Sequence, residues 1–332
     1  MAVNVKHCNA IIRTMVDFWQ ATYDILARYE KAILMYVLRS EGSSPGRQGF
    51  HMTIAPDLEM CGSIGGGIME HKLVELSRSL LSAEDSGFKP FIKHQVHRDG
   101  ERDKSGMICS GEQTIAFFHL EKKDILWLGE LLNHFSNNTS VVLSLNGNGV
   151  SLLTDNNTLT HPQFESYEDH SWTYRERLGF KEIVYIIGAG HVGLALSRLM
   201  RDLDFYVVII DDRKGLNTLE SNQYAHKKIV QNYDEIASVV AEGKNTYVIV
   251  ASFGYRTDKV ILRHLSGRNY NYLGMMGSKE KVKRLFEELQ AEGHGAEVLE
   301  KIHSPIGVAI NSKTPMEIAV SVAAEIIQVK NR

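Results

Sequence analysis

Gly188-Ala189-Gly190-His191-Val192-Gly193 stands between an apolar run that ends at Ile187 and a stretch of helical periodicity. Asp211 closes the next apolar run about 20 residues further on. In that setting the G-x-G-x-x-G spacing predicts a loop of dinucleotide-binding type. Its glycines permit a tight turn and a close backbone approach, and the following helix start favours a pyrophosphate. The candidate cofactor-binding residues here are Gly188, Gly190, His191, Gly193, Asp211 and Asp212. Asp211 can accept hydrogen bonds from ribose hydroxyls. Arg213 can form a salt bridge or touch a 2'-phosphate, so NAD and NADP stay open. His191 can serve as a dehydrogenase acid or as a loop residue packed near the cofactor, and the latter is favoured. The same residues also suit a Rossmann scaffold that binds no dinucleotide.

Further loops offer backbone donors. Gly274-Met275-Met276-Gly277-Ser278-Lys279 presents N–H groups, a hydroxyl and an ammonium before a helix, which suits a phosphate, or a plain helix start capped by Ser278. From that loop Gly274, Gly277, Ser278 and Lys279 join the candidate set. Ser252-Phe253-Gly254-Tyr255 and His303-Ser304-Pro305-Ile306-Gly307 also follow strand-like runs. Tyr255 and Lys259 have the Y-x-x-x-K spacing of short-chain dehydrogenases, but they follow the glycine loop too soon for that family. In the first half, Ser63, Gly65, Gly66 and Gly67 lie in a glycine-rich concavity able to hold an anion, with no G-K-[ST] to make it a P-loop. Cys109, flanked by Gly106 and Gly111, could contact a soft metal or relay sulfur as a thiolate, or be a small buried hydrophobe. No catalytic residue and no metal-ligand set can be assigned.

The elements that must position these loops are legible in outline. Ala10 to Tyr29 spaces Met15, Phe18, Thr22, Ile25 and Leu26 as an amphipathic helix, and Ala32 to Leu38 reads as a buried strand ending in the breaker cluster Glu41 to Gly46. A hairpin is predicted across Pro56-Asp57, a helix over Ile68 to Leu81, and a second hairpin around Asn146-Gly147. From Ile183 onward strands and helices alternate, which requires crossover connections and a parallel sheet covered on both faces. Thr314-Pro315-Met316-Glu317 reads as a capping box opening the last helix. The predicted fold is α/β: a C-terminal Rossmann-like parallel sheet with helices on both faces, preceded by a smaller N-terminal α/β domain. Expected boundaries are residues 1–153 for the first domain, a polar aperiodic linker over 154–178, and 179–332 for the second.

Composition narrows the class. A chain of 332 residues exceeds one typical domain of ~150 residues. With 43% hydrophobic and 23% charged residues it has an ordinary globular composition. A net charge of -3 without long runs of one sign gives no electrostatic footprint for nucleic acid. Apolar runs of strand length and the lack of a signal-peptide pattern lead to the expectation of a cytoplasmic protein that does not enter the membrane. Three widely spaced cysteines, Cys8, Cys61 and Cys109, argue against a disulfide framework, a zinc cage or an iron–sulfur cluster.

Taken together, the strings Glu41 to Pro45, Gly62 to Gly67, Gly106 to Cys109, Gly188 to Gly193 with Asp211-Asp212-Arg213, Tyr272 to Lys279, and His303 to Gly307 with Thr314-Pro315 resemble the xanthine dehydrogenase accessory factor family, the XdhC/CoxI proteins. They run in family order over nearly the whole chain. The resemblance implies a maturation factor for a molybdenum hydroxylase, one that binds molybdenum cofactor (molybdopterin) as cargo and shelters it during sulfuration by a cysteine desulfurase. The factor then passes the cofactor to the apo molybdenum hydroxylase without oxidising xanthine itself. Two positions depart from the family's usual pattern: Ile68 stands where a cysteine commonly follows the glycine triplet, and Tyr255 where histidine is common. Cargo is expected between the domains, within one protomer or across a homodimer. The competing readings are an NAD(P)-dependent oxidoreductase, which should show a placed acid or base, and a nucleotide-sensing regulatory protein.

Overall fold

The structure, a computed structural model, describes residues 14–44, 46–83, 87–96, 111–155, 157–168 and 170–332. It divides into two compact units, Met1–Gly179 and Phe180–Arg332.

The first unit opens with α1 (Met15–Tyr29), which starts where the Thr14 hydroxyl accepts the Asp17 N–H and buries Phe18, Trp19, Thr22, Ile25 and Leu26. The expected residues 10–13 of this helix lie outside the described residues. β1 (Lys31–Gly42) follows, its run Ala32–Leu38 buried throughout. Such an unbroken apolar run suits a central strand covered on both faces. It is central here: with β2 (His51–Ile54), β3 (Met60–Ser63), β4 (Phe91–Val96) and β5 (Gly111–Glu121) it forms a sheet of order β3-β2-β1-β5-β4. β1 runs past the breaker cluster's start, because Glu41 and Gly42 still pair with Glu112 and Gly111 after a register shift between Val37 and Arg39. Between β3 and β4 lies α2 (Gly67–Ser82), whose Leu73, Val74 and Leu81 pack on one face of the sheet. α3 (Ile125–Ser136) packs beside α1.

β6 (Val141–Asn146) and β7 (Gly149–Thr154) form the expected hairpin. The expected linker over 154–178 contains two strands of its own. β8 (Gln163–Ser166) and β9 (Trp172–Leu178) extend that hairpin into a sheet of order β7-β6-β9-β8. Trp172, Tyr174 and Leu178 are buried at alternating positions while Arg175 and Arg177 face solvent. A strand with one wet face carries polar residues at every second position, so composition alone reads it as linker. Glu176 ties this sheet to β1, its Oε2 accepting from Tyr36 Oη at 2.6 Å and Tyr174 Oη at 2.8 Å.

The second unit is the predicted parallel sheet: β10 (Ile183–Ile187), β11 (Tyr206–Asp211), β12 (Lys227–Val230), β13 (Gly243–Val250) and β14 (Tyr270–Met275), in order β12-β11-β10-β13-β14. Alternate residues of β10 enter opposite cores, Val184 and Ile186 on one face, Tyr185 and Ile187 on the other. The first face is covered by α4 (His191–Asp202) and by the last helix, α9 (Pro315–Lys330). α5 (Asn217–Glu220) is a single turn beside α4. The other face is covered by α6 (Tyr255–Leu265), α7 (Lys279–Ala291) and the turn α8 (Ala296–Leu299). α9 begins with the expected capping box between Thr314 and Glu317 and with Pro315 at its start. Strand order reverses between β10 and β13, and a crevice opens at their carboxyl ends, the place where such sheets bind ligands.

Candidate functional site

Three glycines in the loop after β10 have three different reasons to be glycine. Gly188 has φ +116, and a Cβ there would sit 2.2 Å from the Ala251 carbonyl oxygen. Gly193 would place a Cβ 2.1 Å from the Gly188 carbonyl oxygen, so it lets α4 press on the loop. Gly190, the residue before α4, has an ordinary φ of -70, and a Cβ there would meet nothing within 4 Å. The protein itself therefore requires two of the glycines, and the third faces open space. That space is a cleft of about 730 Å³ lined by Gly190, His191, Arg213, Thr218, Ser252 and Phe253 among others. Gly190 supplies no capping side chain, so the first-turn N–H groups of α4 face a region where an anion would satisfy them.

Asp211 has a task other than the expected ribose contact. It is fully buried, and its two oxygens accept from Ala189 N at 2.7 Å and from Arg213 N, Nε and Nη2 at 3.1, 2.8 and 2.9 Å. Four donors fill the acceptor capacity of a carboxylate. Burial alone would raise this carboxyl, but the Arg213 guanidinium and the backbone N–H groups of Ala189 and Arg213 prevail and hold it below its ordinary range. Asp211 thus braces the glycine loop, and of the two roles open to Arg213 the structure shows the salt bridge. Asp212 is exposed. Thr218, which no sequence motif marks, lines the cleft and donates to the Ala189 carbonyl at 2.5 Å.

A second buried carboxylate holds the later loops. Asp258, on α6 and 1% exposed, accepts from the Ser252 hydroxyl and the Lys281 ammonium, and Lys281 also reaches the Met276 carbonyl at 3.3 Å. Burial pushes the Asp258 carboxyl up, against the bonds from Lys281 and Ser252. The loops after β13 and β14 are thereby linked through side chains that sit inside helical patterns, where sequence reading sees only helix.

The segment Gly274–Lys279 reaches the cleft through Met276. A Cβ on Gly274 would lie 2.6 Å from Ile306 Cδ1, so this glycine admits the His303–Gly307 segment. Ser278 caps α7 by accepting the Lys281 N–H at 3.2 Å, and Gly277 packs against the Lys281 side chain. Lys279 is exposed at the helix start. Lys259 is engaged by Glu288 at 2.7 Å and Glu292 at 2.9 Å, so it forms no catalytic pair with Tyr255.

In the first unit the loop segments converge on one another. Gln113 donates to the carbonyls of Gly46 at 2.7 Å and Ile64 at 3.3 Å, joining the loop after β1 to the glycine-rich loop before α2. Gly111 pairs with Gly42, so the chain re-enters the described residues beside the loop after β1. Cys109 itself lies outside the described residues, as does Cys8. The anion expected at Ser63, Gly65, Gly66 and Gly67 is supplied by the protein: Glu70 Oε2 accepts from Ser63 Oγ at 2.8 Å and from the N–H groups of Ile64 and Gly66 at 3.0 Å each. Cys61 is 2% exposed, its sulfur 3.8 Å from the Thr22 hydroxyl. Among the described residues no three His, Cys, Asp or Glu side chains cluster as a metal site, and no helix is long and apolar enough to cross a membrane.

Two family models match the chain, the XdhC Rossmann domain over residues 184–326 and the XdhC and CoxI family over residues 25–91. A Bacillus subtilis (strain 168) protein, described as a probable subunit of a xanthine dehydrogenase, is 25% identical over 334 residues, spanning 93% of this chain and 96% of that protein. An uncharacterized Escherichia coli (strain K12) protein, YqeB, is 26% identical over 297 residues; the match covers 89% of this chain but 43% of YqeB. A crystal structure described as a xanthine dehydrogenase from Bacillus halodurans superposes with a TM-score of 0.71 at 21% identity, covering 94% of this chain and 95% of that one, and it shares the fold.

Proposed function

Since the chain belongs to the XdhC and CoxI family, we propose that it is an accessory factor of a xanthine dehydrogenase, and that it binds molybdenum cofactor as cargo, assists its sulfuration and delivers it to the apo molybdenum hydroxylase. The observation that carries this reading is Gly190, a glycine that neither strain nor packing demands, open to a cleft of about 730 Å³. A phosphate tail fits there, because the first turn of α4 offers N–H donors and no side chain obstructs them. The described cysteine, Cys61, is buried against Thr22 and offers the cargo's metal no thiolate. The described residues therefore suit a carrier that grips the organic part of its cargo.

An oxidoreductase needs a placed acid or base facing its substrate. Lys259 is engaged by two carboxylates, Asp211 is filled by four internal donors, and Asp258 is buried and bound by Ser252 and Lys281, so these groups serve architecture. A sulfur-donating cysteine desulfurase and a homodimer belong to the proposal as further partners. The deciding experiment is anaerobic purification from a molybdenum-replete host, followed by pterin and metal analysis and by transfer to apo-xanthine dehydrogenase. Co-purified pterin with molybdenum, transferable to the apoenzyme, supports the carrier. Nicotinamide nucleotide alone would replace it with a dinucleotide-dependent enzyme or sensor.

A further inference from the structure

We propose that the open half of β14 is a docking edge for a short extended segment of a partner protein that carries acidic side chains. The place is separate from the cleft at Gly190, since no residue lines both, so it goes beyond the cargo reading and does not rest on it.

β14 ends the parallel sheet, and an edge strand presents backbone groups with which a further strand can pair. Here the chain covers only the carboxyl half of that edge. His303 bridges to Gly274 in parallel: its N–H donates to the Leu273 carbonyl at 2.9 Å, and its own carbonyl accepts the Met275 N–H at 3.0 Å. Leu273 and Met275 thus turn these groups away from β13. Direction alternates from residue to residue along a parallel strand, so the Leu273 N–H and both backbone groups of Asn271 also point outward, ahead of the place where His303 joins. A crevice of about 430 Å³ lies at that edge, lined by Asn271, Leu273, Val298, Lys301 and His303 among others. Residues 270–273 extend over about 10 Å at ~3.3 Å per residue, which matches three or four residues of a docked strand.

Glu325 of α9 fixes the covered half. Its Oε1 lies 3.2 Å from His303 Nδ1, and its Oε2 accepts from Tyr272 Oη at 2.6 Å and from the Gly307 N–H at 2.7 Å. The segment from His303 to Gly307 is thereby held in place, so the open half is preorganised for a partner strand.

Charge selects the occupant. Among the described residues that line the crevice, Arg268, Lys301 and His303 can carry positive charge and none is a carboxylate. Arg268 is already engaged by Glu242 at 2.9 Å and by the Ala237 carbonyl at 2.6 Å, whereas Lys301 is exposed. An acidic side chain on the docked strand complements Lys301. A second copy of the chain fits less well, because a two-fold axis would set β14 against its own mate and bring Lys301 and Arg268 towards their equivalents, like charge against like.

The test is fluorescence anisotropy on the full chain with two labelled hexapeptides, one alternating valine with glutamate and the other valine with lysine, each made also with N-methylated backbone amides. The acidic peptide should bind about tenfold or more tightly than the basic one, and N-methylation should cost it at least about tenfold, because strand addition relies on backbone hydrogen bonds. Hydrogen exchange at the Asn271 and Leu273 amides should slow when the acidic peptide binds. Lys301→Glu should reverse the preference between the two peptides, and it keeps the fold, since the side chain is exposed. Equal binding of the two peptides, binding of neither, indifference to N-methylation, or unchanged exchange at Asn271 and Leu273 would overturn the proposal. Displacement of the acidic peptide by an equal concentration of free glutamate would make the crevice a small-anion pocket, and a dimer of the chain that the peptide splits would assign the edge to a second copy; either result removes the proposal.

Discussion

Two glycine-rich loops each lead a strand into a helix, Gly62 to Gly67 into α2 and Gly188 to Gly193 into α4, and they end in opposite states. At the first, Glu70 folds back from the opening turn of α2 and its Oε2 takes the N–H groups of Ile64 and Gly66. At the second, the buried carboxylate of Asp211 takes the Ala189 N–H, and the space at Gly190 stays open. Converging N–H groups favour an anion in both places. What distinguishes a structural turn from a binding loop is whether the chain brings its own.

The largest expected effect falls at Gly188. Gly188→Ala would set a Cβ against the Ala251 carbonyl at a φ of +116, and should destabilise the second unit by more than about 3 kcal/mol. Thermal denaturation should show this, whereas Gly190→Ala should melt as the parent does; a Gly188→Ala protein of parental stability would mean that the loop differs from the one described. Next is Glu70→Ala, which leaves its donors without their acceptor and should cost about 1–2 kcal/mol. Part of that loss should return in millimolar phosphate. If phosphate stabilises the parent equally, the first loop is not closed by Glu70 and the contrast collapses.

Acidification should separate the two units. His51 packs against the rings of Phe18, Trp19 and Tyr36, and burial pushes its imidazole down to about 4 despite its bond to the Gly49 carbonyl. The unfolded chain takes up that proton near 6.5, so stability of the first unit should fall as pH drops from about 6.5 to about 4 and then level off. The loss is on the order of 2 kcal/mol, below the full linkage value because the residue keeps some surface. Asp211 acts in a lower window: its depressed carboxyl contributes fully above about 3.8 and loses its effect only as pH falls below that. The first unit should therefore weaken first. All three tryptophans, Trp19, Trp127 and Trp172, lie in it, so tryptophan fluorescence isolates its transition. His51→Gln should flatten the slope, and an unchanged slope would assign it to another group. The smallest effect distinguishes the two open glycines: Gly66→Ala meets no neighbour but must adopt φ +76 and should cost about 1 kcal/mol, while Gly190→Ala, at φ -70, should cost close to nothing.

Much of the second unit could be read directly, since buried parallel strands are unbroken apolar runs: Ile183–Ile187 has the bounds expected of it, and the capping box at Thr314 and Glu317 follows from residue type and spacing. Residues 163–178 could not be read in this way, because a strand with one solvated face shows an apolar residue only at alternate positions, and Tyr174 and Glu176 acquire meaning only through Tyr36, far away in the chain. Local chemistry by itself determined where the chain turns, where helices start and which loops gather N–H donors, because those properties depend on a few neighbouring residues. Which loop already holds its own anion, and which faces an open cleft, was decided by tertiary structure: it depends on where Glu70, Asp211, Thr218 and Phe253 arrive in space, and long-range packing sets that.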